Sequence, residues 1–115
     1  MRFSTSLKQN HIFRRLYAKG ENSVGHSAVV YCRSNGLDVN RVGISVSTKL
    51  GHAVVRNRAK RRLREVYRLN EAQFRAGYDI VLVARSRAVK VNFSVLEKEL
   101  LQQFEKLGIL EARSE

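Results

Sequence analysis

The sequence predicts a mixed α/β sandwich in which helices pack against a small sheet, in the order helix, strand, strand, helix, strand, helix. Three observations carry this reading. Apolar residues recur at helical spacing in three separate segments, around residues 12–17, 55–66 and 96–107. Arg41 to Ser47 alternates strictly, with Val42, Ile44 and Val46 on one side and Gly43, Ser45 and Ser47 on the other. Ile80-Val81-Leu82-Val83 is an unbroken apolar run, the pattern of a central strand buried on both faces.

Taken in order, residues 1–9 read as irregular. A first helix is expected over about 8–19: Ile12 and Leu16 repeat at i,i+4, as do Phe13 and Tyr17, and Gly20 is placed to stop it. Ser6 with Gln9 has capping-box spacing, with Asn10 as a competing cap. His26 to Arg33 reads as a strand with Ala28, Val30 and Cys32 on one face and Val29, Tyr31 and Arg33 on the other. The cluster Ser34-Asn35-Gly36-Leu37-Asp38 is a turn, so this strand and Arg41–Ser47 are expected to form an antiparallel hairpin. A further short strand is possible between residues 20 and 40. Val54 to about Glu71 is the second helix, and Tyr78 to Ala84 the central strand. The last helix should begin near Asn92 or Ser94, where Ser94 and Glu97 have capping-box spacing. Leu96, Leu100, Phe104 and Leu107 form its buried stripe, and Gly108 its stop.

A chain of 115 residues suits one domain, here with flexible ends expected at 1–7 and 109–115. The formal charge of +12 and pI near 10.7 require a reason to tolerate self-repulsion, and a polyanionic partner is the usual one. Nucleic acid is the first candidate and an anionic membrane surface the second. The single cysteine, Cys32, lies in an apolar run and reads as a buried thiol in a reducing compartment. The first residues lack an apolar signal core, and no segment approaches the ~18 apolar residues of a membrane span. A cytoplasmic location is expected.

Half of the net charge sits between Arg56 and Arg68, where seven of thirteen residues are basic and only Glu65 is acidic. At 100° per residue Val55, Ala59, Leu63 and Val66 share one arc that should pack on the sheet. Asn57, Lys60, Arg61, Arg64 and Arg68 cluster opposite, flanked by Arg56, Arg58 and Arg62. A merely solvated face would mix signs, because like charges three or four residues apart repel by roughly 0.2–0.5 kcal/mol per pair. Arginine predominates, and its planar fork binds phosphate oxygens in pairs and stacks on bases.

Equipment for unaided catalysis is thin. The ten acids are dispersed, with Glu97, Glu99 and Glu105 expected on the exposed side of the last helix, Asp38 in a turn and Asp79 opening a strand. A two-metal nuclease needs several carboxylates converging on ions about 4 Å apart. His11, His26 and His52 lie in separate segments without zinc spacing, and no phosphate-cradling glycine loop is present.

The segment from Arg41 to Glu65, with Arg56-Asn57-Arg58 followed by Lys60, Arg61 and Arg64, resembles the signature of the bacterial ribonuclease P protein component. Phe13, Leu16, Tyr17 and Gly20 resemble that family's aromatic first helix, and Gly77 to Arg85 its last strand, so the likeness spans about residues 7–107. The resemblance implies an α-β-β-β-α-β-α order with an unusual left-handed βαβ crossover through the basic helix, against the usual right-handed rule. It implies an accessory subunit of an RNA-based endoribonuclease that removes the 5′ leader from precursor tRNA. The RNA subunit and its bound Mg2+ would hydrolyse the phosphodiester, while the protein adds affinity for the leader and helps metal binding. No protein side chain would be catalytic or ligate metal, and no organic cofactor, membrane or protein partner is implied.

By the same resemblance Arg56, Asn57, Arg58, Lys60, Arg61 and Arg64 contact the catalytic RNA, and Arg68 continues their exposed face. Phe13, Tyr17 and Tyr31 match aromatic positions of a cleft for the single-stranded leader, where ring stacking tolerates any sequence. Ordinary core packing is the competing reading of Phe13 and Tyr17. Ser45 and Ser47 would lie on the polar floor of that cleft. Tyr17 departs from the phenylalanine of many relatives by adding a hydroxyl. The stretch before the first helix holds only Arg2 and Lys8, leaner than in some relatives. Two other readings stand beside this one: a structural, ribosomal-type RNA-binding protein, and a basic helix lying on a membrane surface, for which the apolar face is small and lacks aromatic anchors.

Overall fold

The computed structural model describes residues 4–6 and 10–111. The chain runs β1 (Ser4–Ser6), α1 (Asn10–Lys19), β2 (Glu21–Val24), β3 (Ala28–Ser34), β4 (Asn40–Ser45), α2 (Ala53–Asn70), β5 (Tyr78–Ala84), α3 (Arg87–Lys90) and α4 (Phe93–Lys106). Short 3-10 turns at Thr48–Leu50 and Glu71–Gln73 bracket α2. The mixed α/β class, the three long helices and the central last strand match expectation. β2 is the short extra strand, while β1 and the single turn of α3 were unforeseen.

The five strands lie in the order β1-β4-β5-β3-β2. β5 pairs antiparallel with β3 and parallel with β4. β4, α2 and β5 therefore make a parallel crossover unit, and the expected hairpin between β3 and β4 does not form. The reason is burial: Ile80, Val81 and Leu82 have no exposed surface, which requires neighbours on both edges as well as cover on both faces. β5 accordingly inserts between the two earlier strands.

Strand alternation then sorts the core into two layers. Ala28, Val30, Cys32, Val42, Ile80, Leu82 and Ala84 point to one face and pack against Ala59, Leu63, Val66 and Tyr67 of α2 and Leu96, Leu100 and Phe104 of α4. On the opposite face Ile12 and Leu16 of α1 pack on Val81, with Phe13, Tyr31 and Val83 at the margin. The inner arc of α2 is shifted from expectation, since Val55 is only half-buried and Tyr67 is fully buried. Tyr67 meets Phe74 with ring centroids 4.6 Å apart and the rings tilted, and Phe74 meets Phe104 at 4.9 Å.

α1 ends at Gly20, whose N–H donates to the Leu16 carbonyl. A Cβ there would lie 2.6 Å from that oxygen and 3.0 Å from the Cys32 carbonyl, so only glycine lets the helix end approach β3. α4 starts at Phe93 with Asn92 as its cap and without a side-chain capping bond, so the Ser94–Glu97 box is not used. Gly108, at φ 75°, stops it as expected. Beyond it, Ile109 is fully buried, and Leu110 bridges to Phe74. At the other end, Ser4–Ser6 is a strand paired with Asn40–Val42 rather than irregular chain. The Ser6–Gln9 capping expectation and residues 112–115 lie outside the described side chains.

Candidate nucleic-acid interface

α2 is eighteen residues long and presents two unlike faces. Inward, Ala59, Leu63, Val66, Tyr67 and Asn70 are buried. Outward, Asn57, Arg58, Lys60, Arg61, Arg64 and Arg68 are exposed and Arg56 is half-buried. The predicted RNA-contacting residues therefore share one side of one helix, because Ala59, Leu63 and Val66 occupy the other.

The cations on this helix are not equivalent. Arg68 is held by Glu65 through two hydrogen bonds of 2.9 and 2.6 Å, which keep the carboxyl below its ordinary range. Arg62 turns inward and donates to the carbonyls of Ala88 (2.7 Å) and Val91. Burial, with the nearby charge of Arg58, lowers its pKa. Arg56 has its Nε buried without a partner. Asn57, Arg58, Lys60, Arg61 and Arg64 have no side-chain hydrogen bond or ion pair to any described residue. The fully free cationic ridge is thus Arg58, Lys60, Arg61 and Arg64. Arg68, which sequence pattern placed with them, arrives already paired.

A second surface lies on the α1 side of the sheet. Phe13 and Tyr17 meet edge to face at 6.5 Å, and Tyr17 meets Tyr31 at 4.9 Å in the same manner. Phe13 and Tyr31 are half-buried, while Tyr17 is 42% exposed. The cluster closes the edge of the small core and also offers ring surface to solvent.

The strand register sets what surrounds it. Tyr31 is opposite Val81, which is opposite Gly43. One step along, Arg33, Asp79 and Arg41 form a row across three strands, and in the other direction Val29, Val83 and Ser45 do. Ser45 is half-buried on this face of the sheet. Ser47 is not part of it: β4 stops at Ser45, and the Ser47 hydroxyl accepts from the Lys49 N–H to cap a 3-10 turn. Asp79, read from sequence only as a strand opener, is buried and takes two 2.7 Å hydrogen bonds from Arg41 and one of 3.1 Å from Asn35. The Asp79 bonds in turn raise the pKa of Arg41. Arg33 and Arg14 remain exposed beside the aromatic cluster.

The acids are committed elsewhere. Glu97 and Glu99 are half-buried rather than exposed: Glu97 accepts from Asn70 (3.0 Å), and Glu99 from Ser27 (2.9 Å) and Arg87 (2.9 Å). Among the described residues no three His, Cys, Asp or Glu side chains converge as a metal site would need. Burial and the charge of Glu21 push the Cys32 thiol up to about 11, so it is inert as a nucleophile at neutral pH. Among the described residues no helix is long and apolar enough to cross a membrane.

A family model described as Ribonuclease P matches residues 1–108. The chain is 41% identical over 106 residues to the ribonuclease P protein component of Natranaerobius thermophilus, covering 92% of each chain. It is 40% identical to that of Caldanaerobacter subterraneus subsp. tengcongensis, over 95% of this chain and 94% of the other. Among solved structures it is similar to the RNase P protein of Staphylococcus aureus, with TM-score 0.82, 34% identity and 92% and 97% coverage of the two chains. It is also similar to that of Thermotoga maritima, with TM-score 0.76, 33% identity and 84% and 92% coverage.

Proposed function

The chain belongs to the ribonuclease P protein family, and from that membership we propose that it binds the catalytic RNA through α2 and the 5′ leader of precursor tRNA through the Phe13–Tyr17–Tyr31 surface. The observation that supports the reading is the separation of two chemically unlike surfaces by the sheet. The free cations of α2 lie on one side, and the half-exposed rings of α1 and β3 on the other. Arg58, Lys60, Arg61 and Arg64 suit a folded, phosphate-rich RNA, where the arginines pair with phosphate oxygens bidentately. Rings flanked by Arg14 and Arg33 suit a single strand, whose bases stack in any sequence while its phosphates meet the arginines.

Hydrolysis in this proposal belongs to the RNA. The donor set of the protein does not fit a metal cage, because Glu65, Asp79 and Glu99 are each already paired with an arginine. Mg2+ would be held by the RNA subunit and the substrate, and the chain contributes by positioning the leader and offsetting phosphate repulsion. Work on precursor tRNA in the cytoplasm belongs to the same proposal.

Reconstitution tests it. Adding the protein to a bacterial ribonuclease P RNA at low Mg2+ should enable 5′ maturation of precursor tRNA. Failure to stimulate at any protein-to-RNA ratio would refute the proposal.

A further inference from the structure

We propose that Phe93 and the arginines facing it on α2 form a stacking slot for one unpaired base of the RNA that docks on this helix. The inference rests on the docking reading above and deepens it. Phe93 is the first residue of α4. Part of its side chain packs on the main core. The rest borders a cavity of about 410 Å³ lined by Arg61, Arg62, Arg64, Glu65 and Arg68. Its lining combines an aromatic ring with arginine side chains, whose stems are apolar, and the free guanidinium groups of Arg61 and Arg64 can supply a cationic rim. A nucleotide matches both parts, since the base stacks on the ring and its phosphates meet the rim. The charge selects an anion: Arg61 and Arg64 are free, Arg62 is tied to backbone carbonyls, and the one carboxylate, Glu65, is already bonded to Arg68.

The slot is held open by bonds unrelated to α2's exposed face. Arg62 ties the carbonyls of Ala88 and Val91 to α2, which fixes α3 and the short link that delivers Phe93. Farther along, the Asn70 side chain donates to Glu97 at 3.0 Å, which ties the first turns of α4 to the end of α2. The ring and the helix therefore face each other at a separation set by the protein before RNA arrives, so stacking costs little reorganisation.

The sequence contains no tryptophan, so Phe93→Trp would place a single indole reporter in the slot. Titration with a bacterial ribonuclease P RNA should quench its fluorescence as a base stacks on it. RNA binding without quenching would overturn the slot. Phe93→Leu keeps an apolar contact with the core and removes the ring face. It should weaken RNA binding by about 5- to 150-fold, the range that base–aromatic stacking gives, without changing the salt slope. Arg64→Ala should instead lower that slope by about one. If Phe93→Leu binds as tightly as the unaltered protein while Arg64→Ala is weakened, the slot is wrong and docking through α2 stands. If the unaltered protein does not bind the RNA, docking and slot fall together. Circular dichroism checks that Phe93→Leu folds, and the indole titration decides the matter if it does not.

Discussion

Arg41 and Asp79 face each other across β4 and β5 and are joined by two hydrogen bonds of 2.7 Å. Asp79 also accepts from Asn35, whose side chain donates to the Val39 carbonyl, so one carboxylate organises the loop between β3 and β4. Asp79→Ala would leave Arg41 and Asn35 without that acceptor. The Arg41 side chain is 32% exposed, so water replaces part of the lost interaction. The expected loss is about 1–3 kcal/mol, read from urea denaturation, with a smaller loss for Asp79→Asn.

The two surfaces should separate in binding experiments. Arg58→Ala and Arg64→Ala should weaken assembly with the catalytic RNA. Phe13→Ala and Tyr31→Ala should narrow the preference for leader-bearing precursor over mature tRNA. Phe13 also packs on Ile12 and Leu16, so a stability measurement must accompany it, with a loss of up to about 3–5 kcal/mol expected. Four variants acting alike on both assays would show that one surface serves both partners.

Glu65 withholds Arg68 from the ridge. Both groups are well exposed, so Glu65→Gln should hardly change the melting temperature. It should raise affinity for ribonuclease P RNA at low salt and steepen the salt dependence by up to about one ion. An unchanged slope would mean that Arg68 already turns to phosphate in the complex.

Glu99 makes stability depend on acid. Burial pushes its carboxyl up, but hydrogen bonds from Arg87 and Ser27, with the charges of Arg87 and His26, outweigh this and hold it below the ordinary range. A carboxyl depressed on folding stabilises fully above its unfolded pKa, about 4.3, and loses that contribution as pH falls toward the folded value. Melting temperature followed from pH 6 to about pH 3 should therefore fall less steeply for Glu99→Gln than for the unaltered protein.

The helices, and the burial of β5, were legible because they follow from local periodicity. Ala59, Leu63 and Val66 recur at helical spacing, and Ile80 to Val83 contains no polar residue. The pairing of strands was not legible. Ser34 to Asp38 has the composition of a hairpin turn, and nothing within it reveals that a strand forty residues later will claim both neighbours. The same limit applies to the basic run. Arg58, Arg62 and Arg68 look alike in sequence, yet one is free, one is tied to α3 carbonyls and one is paired with Glu65. Ser45 and Ser47 alternate identically, and only the end of β4 between them separates a strand residue from a turn cap. Phe93 carries no sequence signal, because a lone aromatic at a helix start has no period.

The central position of β5 also has a consequence for synthesis. It is the last of the described strands to leave the ribosome, and the basic helix leaves before it. Until Tyr78–Ala84 emerges, β2–β3 and β1–β4 are two unjoined pairs, and the inner face of α2 lacks one of the strands it packs on. The nascent chain therefore displays its concentrated positive charge while still unable to close its core. An RNA partner met at that stage would encounter a charged segment before it encounters a folded protein.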